Sequence, residues 1–104
     1  MNGKRIELPT RSEIAVMQLL QEKAGGMYGL EIVEKSKGAG SREISRGSVY
    51  VLLTRLEDKG FVKKIVPSKA ASDHPGLPRP IYKLTAEGMR VVAAVEQFGL
   101  AIGA

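Results

Sequence analysis

Four side chains between positions 46 and 54 could make polar contacts with a ligand: Arg46, Ser48, Tyr50 and Thr54. They stand opposite an apolar series, Val49, Leu52, Leu53 and Leu56, whose i, i+3, i+4, i+7 spacing predicts a helix with one buried face. A merely solvated face would ordinarily carry Glu and Lys. A cation, a small hydroxyl, a phenol and a threonine methyl suit a major groove instead, where they can meet phosphates, base edges and thymine methyls. Val51 shares that face, with Arg55 and Asp58 at its edges. The same pattern also fits a core helix whose Tyr50 packs inside its own fold.

Other chemistries find too few residues. The single histidine, His74, has Asp73 and Pro75 as neighbours, and the chain has no cysteine, so a metal site lacks ligands. Gly25-Gly26-Met27-Tyr28-Gly29 and Gly38-Ala39-Gly40 match neither the phosphate-loop nor the dinucleotide pattern, because no Lys-Ser/Thr follows and no strand precedes. No paired carboxylates and no nucleophile with a base stand out. The expectation is a protein that is not an enzyme and takes no metal or cofactor.

Charge points to a polyanion. The 104 residues carry a net charge of +5, unevenly placed. Residues 35 to 83 hold eleven Lys and Arg against four acids, a local balance of +7, while the flanks on either side are each slightly acidic. The length suits one domain with a single modest core. No run of about 18 apolar residues occurs and no signal-peptide core opens the chain, so a soluble, cytoplasmic protein is expected.

The elements that must position these residues can be read in order. Residues 1–8 form an arm. Thr10, three residues before Glu13, predicts a capping box opening a helix with Ile14, Met17, Leu19 and Leu20 on one stripe, stopped by Gly25-Gly26. Tyr28-Gly29 opens a short helix with Leu30, Ile32 and Val33, and residues 36–41 link it to the two-faced helix, which Ser45 caps and Gly60 ends. Two short helices so ordered suggest a helix-turn-helix. Phe61–Val66 and Pro80–Leu84 read as two strands of a hairpin with a long tip, made basic by Lys63, Lys64, Lys69 and Arg79. Thr85 caps a last helix whose Met89, Val92, Val95 and Phe98 exceed what one small domain covers. A second copy is the simplest cover, with Ile14, Met17 and Leu20 of the first helix opposite Met89, Val92, Val95 and Phe98 in a homodimer.

Three stretches carry a family resemblance: Met27-Tyr28-Gly29-Leu30-Glu31-Ile32, then Gly47-Ser48-Val49-Tyr50 running on to Gly60-Phe61-Val62, then Tyr82-Lys83-Leu84-Thr85-Ala86-Glu87-Gly88. In this order they resemble the motifs of the PadR family of transcriptional regulators, over about residues 12 to 98. The resemblance implies an α+β, mostly α, winged helix-turn-helix with a two-stranded wing and a C-terminal dimerisation helix. The implied divisions are an arm at 1–8, a DNA-binding domain at 9–84 and the dimerisation helix at 85–104, all in one compact unit. It also implies a dimeric repressor, with Ser48, Tyr50 and Thr54 facing the groove and Lys63, Lys64 and Arg79 in the wing. Val51 stands where many members place a proline, and longer members continue into a further helical domain.

The function expected is therefore sequence-specific binding of double-stranded DNA by a homodimer. The alternative is a winged-helix module that binds protein or RNA, since a fold does not fix a function. No effector is implied by the residues, and no membrane.

Overall fold

The computed structural model describes residues 8–38, 43–66 and 79–98; the side chain of Phe98, together with Lys69 and His74, lies outside that description. Helix α1 (Arg11–Leu20) opens on the predicted capping box. Thr10 Oγ1 accepts from the Glu13 N–H at 3.2 Å, and the Glu13 carboxylate accepts from the Thr10 N–H at 2.9 Å, satisfying two donors that a helix start leaves unpaired. The helix ends well before Gly25. Gly26, at φ +100°, is needed where the chain turns back, since a Cβ there would strike the Ile81 side chain and the Tyr82 carbonyl.

A short strand β1 (Met27–Tyr28) leads directly into α2 (Gly29–Lys37). Glu31 reaches back to the Tyr28 N–H at 3.3 Å and accepts from Lys23 Nζ at 2.7 Å. The Lys23 hydrogen bond holds the Glu31 carboxyl below the usual carboxylate range, although partial burial works against it. At the far end of α2 the buried Ser36 hydroxyl donates to the Val33 carbonyl at 2.7 Å and accepts from the Ile44 N–H at 2.9 Å, which fixes the approach to the next helix.

Helix α3 (Arg46–Asp58) has the predicted cap, the Ser48 N–H donating to Ser45 Oγ at 3.2 Å. It ends in a Schellman turn. Gly60 takes the left-handed φ of +84°, Phe61 N–H donates to the Leu56 carbonyl and Gly60 N–H to the Glu57 carbonyl, both at 3.0 Å. Strands β2 (Val62–Ile65) and β3 (Ile81–Leu84) follow, and the sheet order is β1–β3–β2, antiparallel throughout. The sequence predicts two strands; the third, β1, is two residues long and shows no period-2 signature.

Helix α4 (Ala86–Phe98) starts at a junction. Thr85 Oγ1 accepts from the Gly88 N–H at 3.0 Å and donates to the Gly60 carbonyl at 2.7 Å, while Thr85 N–H donates to the Phe61 carbonyl at 3.0 Å. A Cβ on Gly88 would collide with that Phe61 carbonyl, so glycine is what allows α4 to sit against the turn.

One core joins all these elements. It contains Ile14, Met17, Leu20, Val92 and Val95, each buried within the single chain. The α4 stripe packs on α1 and the rest of the chain's own core, so these five expose little surface within one chain. Of the residues assigned to the interface whose side chains are described, Met89, 53% exposed, is the one that stands outside the core. No helix among the described residues is long and apolar enough to cross a membrane.

An ion pair also reaches into this core. Glu13 is fully buried and accepts from Lys59 Nζ at 2.7 Å; Lys59 also donates to the Leu8 carbonyl at 3.2 Å. Truncation of Lys59→Ala strands the carboxylate and is expected to cost about 3–5 kcal/mol in urea denaturation, and the pair Glu13→Gln/Lys59→Met recovers much of it. An unchanged unfolding midpoint for Lys59→Ala would show that the pair holds nothing in place.

Candidate nucleic-acid interface

The predicted contact face of α3 is on the surface: Arg46, Ser48, Tyr50, Val51 and Thr54 are all exposed, while Val49, Leu52, Leu53 and Leu56 are buried. Ser48 Oγ accepts from Ser45 Oγ at 3.1 Å, leaving its own proton free for a ligand. Tyr50 does two things at once. Its ring lies against Gly29 of α2, where an added Cβ would come within 2.6 Å of Cε1 and 2.7 Å of Cζ and Oη, yet the residue stays 44% exposed. The ring packs inside the fold on one side and is open to the surface on the other.

Tyr50 also neighbours β3, which the sequence does not reveal. Tyr82, buried on β3, has its phenol pushed above the ordinary value by burial first, then by the neighbouring Tyr50 and by Glu57. Tyr28 is paired with Ile81 across the sheet, on the face opposite to Tyr82, and there the Arg79 guanidinium stands 4.8 Å from the centre of the Tyr28 ring. Arg79, assigned to the wing, thus packs on β1. Only the fold brings Tyr50 near Tyr82, and no local spacing signals it.

The two wing lysines are separated by the strand. Lys64 is opposite Tyr82, on the sheet face that carries the buried Val62 and Leu84; Lys63 is opposite Lys83, on the reverse. Like charges directly opposed cost stability, so the Lys63 and Lys83 pair is a feature the fold alone does not favour. Lys69 lies outside the described residues.

Electrostatics separate this side from the other. On α2 and the connection that precedes β1, Lys23 is bridged to Glu31, Lys37 to Glu34 and Lys35 to Glu22, at 2.7, 3.5 and 3.9 Å. Among the described residues, Arg46, Arg55, Lys63 and Lys64 have no acidic partner. Arg11 at the start of α1 is likewise without one, but most of the unpaired cations stand on α3 and the wing, where they present a positive surface to a polyanion. No cluster of His, Cys, Asp or Glu among the described residues could hold a metal ion.

Helices α1 to α3 followed by an antiparallel hairpin, with α3 exposed along one face, define a winged helix-turn-helix protein. The chain matches the model of the transcriptional regulator PadR-like family over residues 16–94, and it belongs to that family. Its fold is similar to a PadR-like transcription factor from Bacteroides fragilis at 30% identity and a TM-score of 0.68, covering 85% of this chain and 79% of that one. A PadR family transcription regulator from Clostridium difficile R20291 matches at 27% identity and a TM-score of 0.68, covering 83% of both chains. RosR of H. salinarum matches at 26% identity and a TM-score of 0.69, covering 88% of this chain and 74% of that one. A comparison with curated proteins gave no match. The chain is a DNA-binding transcriptional regulator of the winged-helix type.

The buried Tyr82 phenol gives the stability of the fold a pH dependence. Because folding raises the Tyr82 pKa, its contribution to stability is complete below the ordinary value of 10.0 and is lost as pH rises through the higher folded-state value. Urea midpoints measured across that alkaline range are expected to fall more steeply for wild type than for Tyr82→Phe; equal slopes would show that the phenol is not held neutral by the fold.

Proposed function

We propose that this protein is a dimeric, cytoplasmic repressor without enzymatic activity that binds a palindromic operator. Helix α3 enters the major groove through Arg46, Ser48, Tyr50 and Thr54, and the wing lies along the backbone with Lys63, Lys64 and Arg79. The observation that carries this reading is the shared location of the exposed α3 face and the unpaired cations. Strand alternation ranks the wing residues. Lys64 shares a face with Tyr82, which neighbours Tyr50, and is better placed than Lys63 to meet the duplex that α3 enters.

Arg46→Ala is expected to weaken binding to the selected operator by about 1–3 kcal/mol with the fold intact. Lys64→Ala should weaken specific and random duplexes alike and lower the slope of log affinity against log salt by about one, with a smaller change for Lys63→Ala. Fluorescence anisotropy at several salt concentrations measures both. Wild type that prefers single-stranded RNA, or binds no nucleic acid, would overturn the reading.

Of the interface expected from the sequence, Met89 is the exposed residue on which we centre the dimer contact. Met89, Ala93 and Gln97 recur every four residues on α4, exposed and uncharged, and Met89 borders an open hollow of about 410 Å³ reaching to Leu20 and Leu84. A two-fold partner packed there would give two α3 helices for two half-sites about one turn of DNA apart. Met89→Glu is expected to yield a folded monomer with operator affinity reduced by at least about a hundredfold, read by light scattering and anisotropy. A Met89→Glu protein that remains dimeric would exclude this face.

A further inference from the structure

Every other helical glycine among the described residues has an internal reason. Gly29 makes room for the Tyr50 ring and Gly88 for the Phe61 carbonyl. Gly47, in the first turn of α3, has none: its φ is not positive, and the nearest atom to an added Cβ would be Ser45 Oγ at 4.0 Å. Glycine weakens a helix relative to alanine. The missing side chain therefore serves something that approaches α3 from outside the chain.

One turn further on the same face stands Val51, 50% exposed. It is a branched apolar residue on a helix front that is otherwise cationic or polar, with Arg55 one turn beyond. Within its own fold Val51 adds little, because half of it remains in water and β-branching does not favour a helix. The flanking Arg46 and Arg55, without acidic partners among the described residues, select a duplex as the occupant.

We propose that Gly47 and Val51 form the line of closest approach between α3 and the bases. Gly47 lets the helix backbone descend toward the groove floor, and Val51 reads a thymine by its C5 methyl. The choice of base follows from the side chain. Valine can neither donate nor accept a hydrogen bond, and the thymine methyl is the one apolar group that a base pair presents in the major groove. The inference rests on the placement of α3 in the groove.

The test starts from sites enriched by wild type out of a pool of random duplexes, with each thymine then replaced singly by deoxyuridine, which removes only the methyl. At one position of each half-site the replacement should cost wild type about fourfold in affinity, the worth of one buried methyl group. Val51→Ala should lose a similar factor on the thymine duplex and be indifferent to uracil at that position. Gly47→Ala should retain or raise the melting temperature yet bind every sequence about tenfold more weakly, as added bulk at a close contact does. If Arg46→Ala weakens binding while Gly47→Ala and Val51→Ala bind as wild type does, or if no thymine distinguishes wild type from Val51→Ala, this inference falls and the groove placement stands. If all three variants bind like wild type, or no site is enriched, the groove placement itself is wrong.

Discussion

The contact on which the arrangement depends is the buried ion pair of Glu13 and Lys59. One carboxylate is asked to cap the first helix and to hold the C-cap residue of the recognition helix, and a charge removed from water this fully is tolerated only with its partner and hydrogen bonds in place. Its second oxygen is buried without a hydrogen bond, so its stability rests on the lysine all the more. Because Lys59 is the C-cap of α3, the pair fixes one end of that helix against the start of α1. The left-handed turn at Gly60 begins at once, and Thr85 attaches α4 to the same turn. A single polar contact thereby registers the reading helix against the wing and the last helix.

The other end of α3 is positioned by close packing instead of charge. Tyr50 lies on the bare backbone of Gly29, and the two helices of the helix-turn-helix approach there as nearly as a missing side chain allows. The ring so held also neighbours the sheet at Tyr82. A residue on the reading face is in this way part of the scaffold, and its chemistry toward a ligand cannot be separated from its support of the wing.

Much of this was legible in the sequence where the information is local. Thr10 with Glu13, Ser45 and Gly60 mark helix ends because capping and left-handed turns involve residues three or four apart. The period of Val49, Leu52, Leu53 and Leu56 gave the buried side of α3 correctly. Partnership was not legible. The apolar stripe of α4 says that Val92 and Val95 are covered but not by what, and the cover proved to be the same chain. The two residues of β1 are too few for any period. Lys63 and Lys64 are neighbours in sequence and opposites in space, a distinction that exists only once the strand is paired.

The joint between α2 and α3 is made by one side chain. The Ser36 hydroxyl donates to the Val33 carbonyl of its own helix and accepts from the Ile44 N–H eight positions on. A buried hydroxyl engaged on both sides works as a clasp between the end of one helix and the approach to the next, so that whatever turns α2 turns α3 with it.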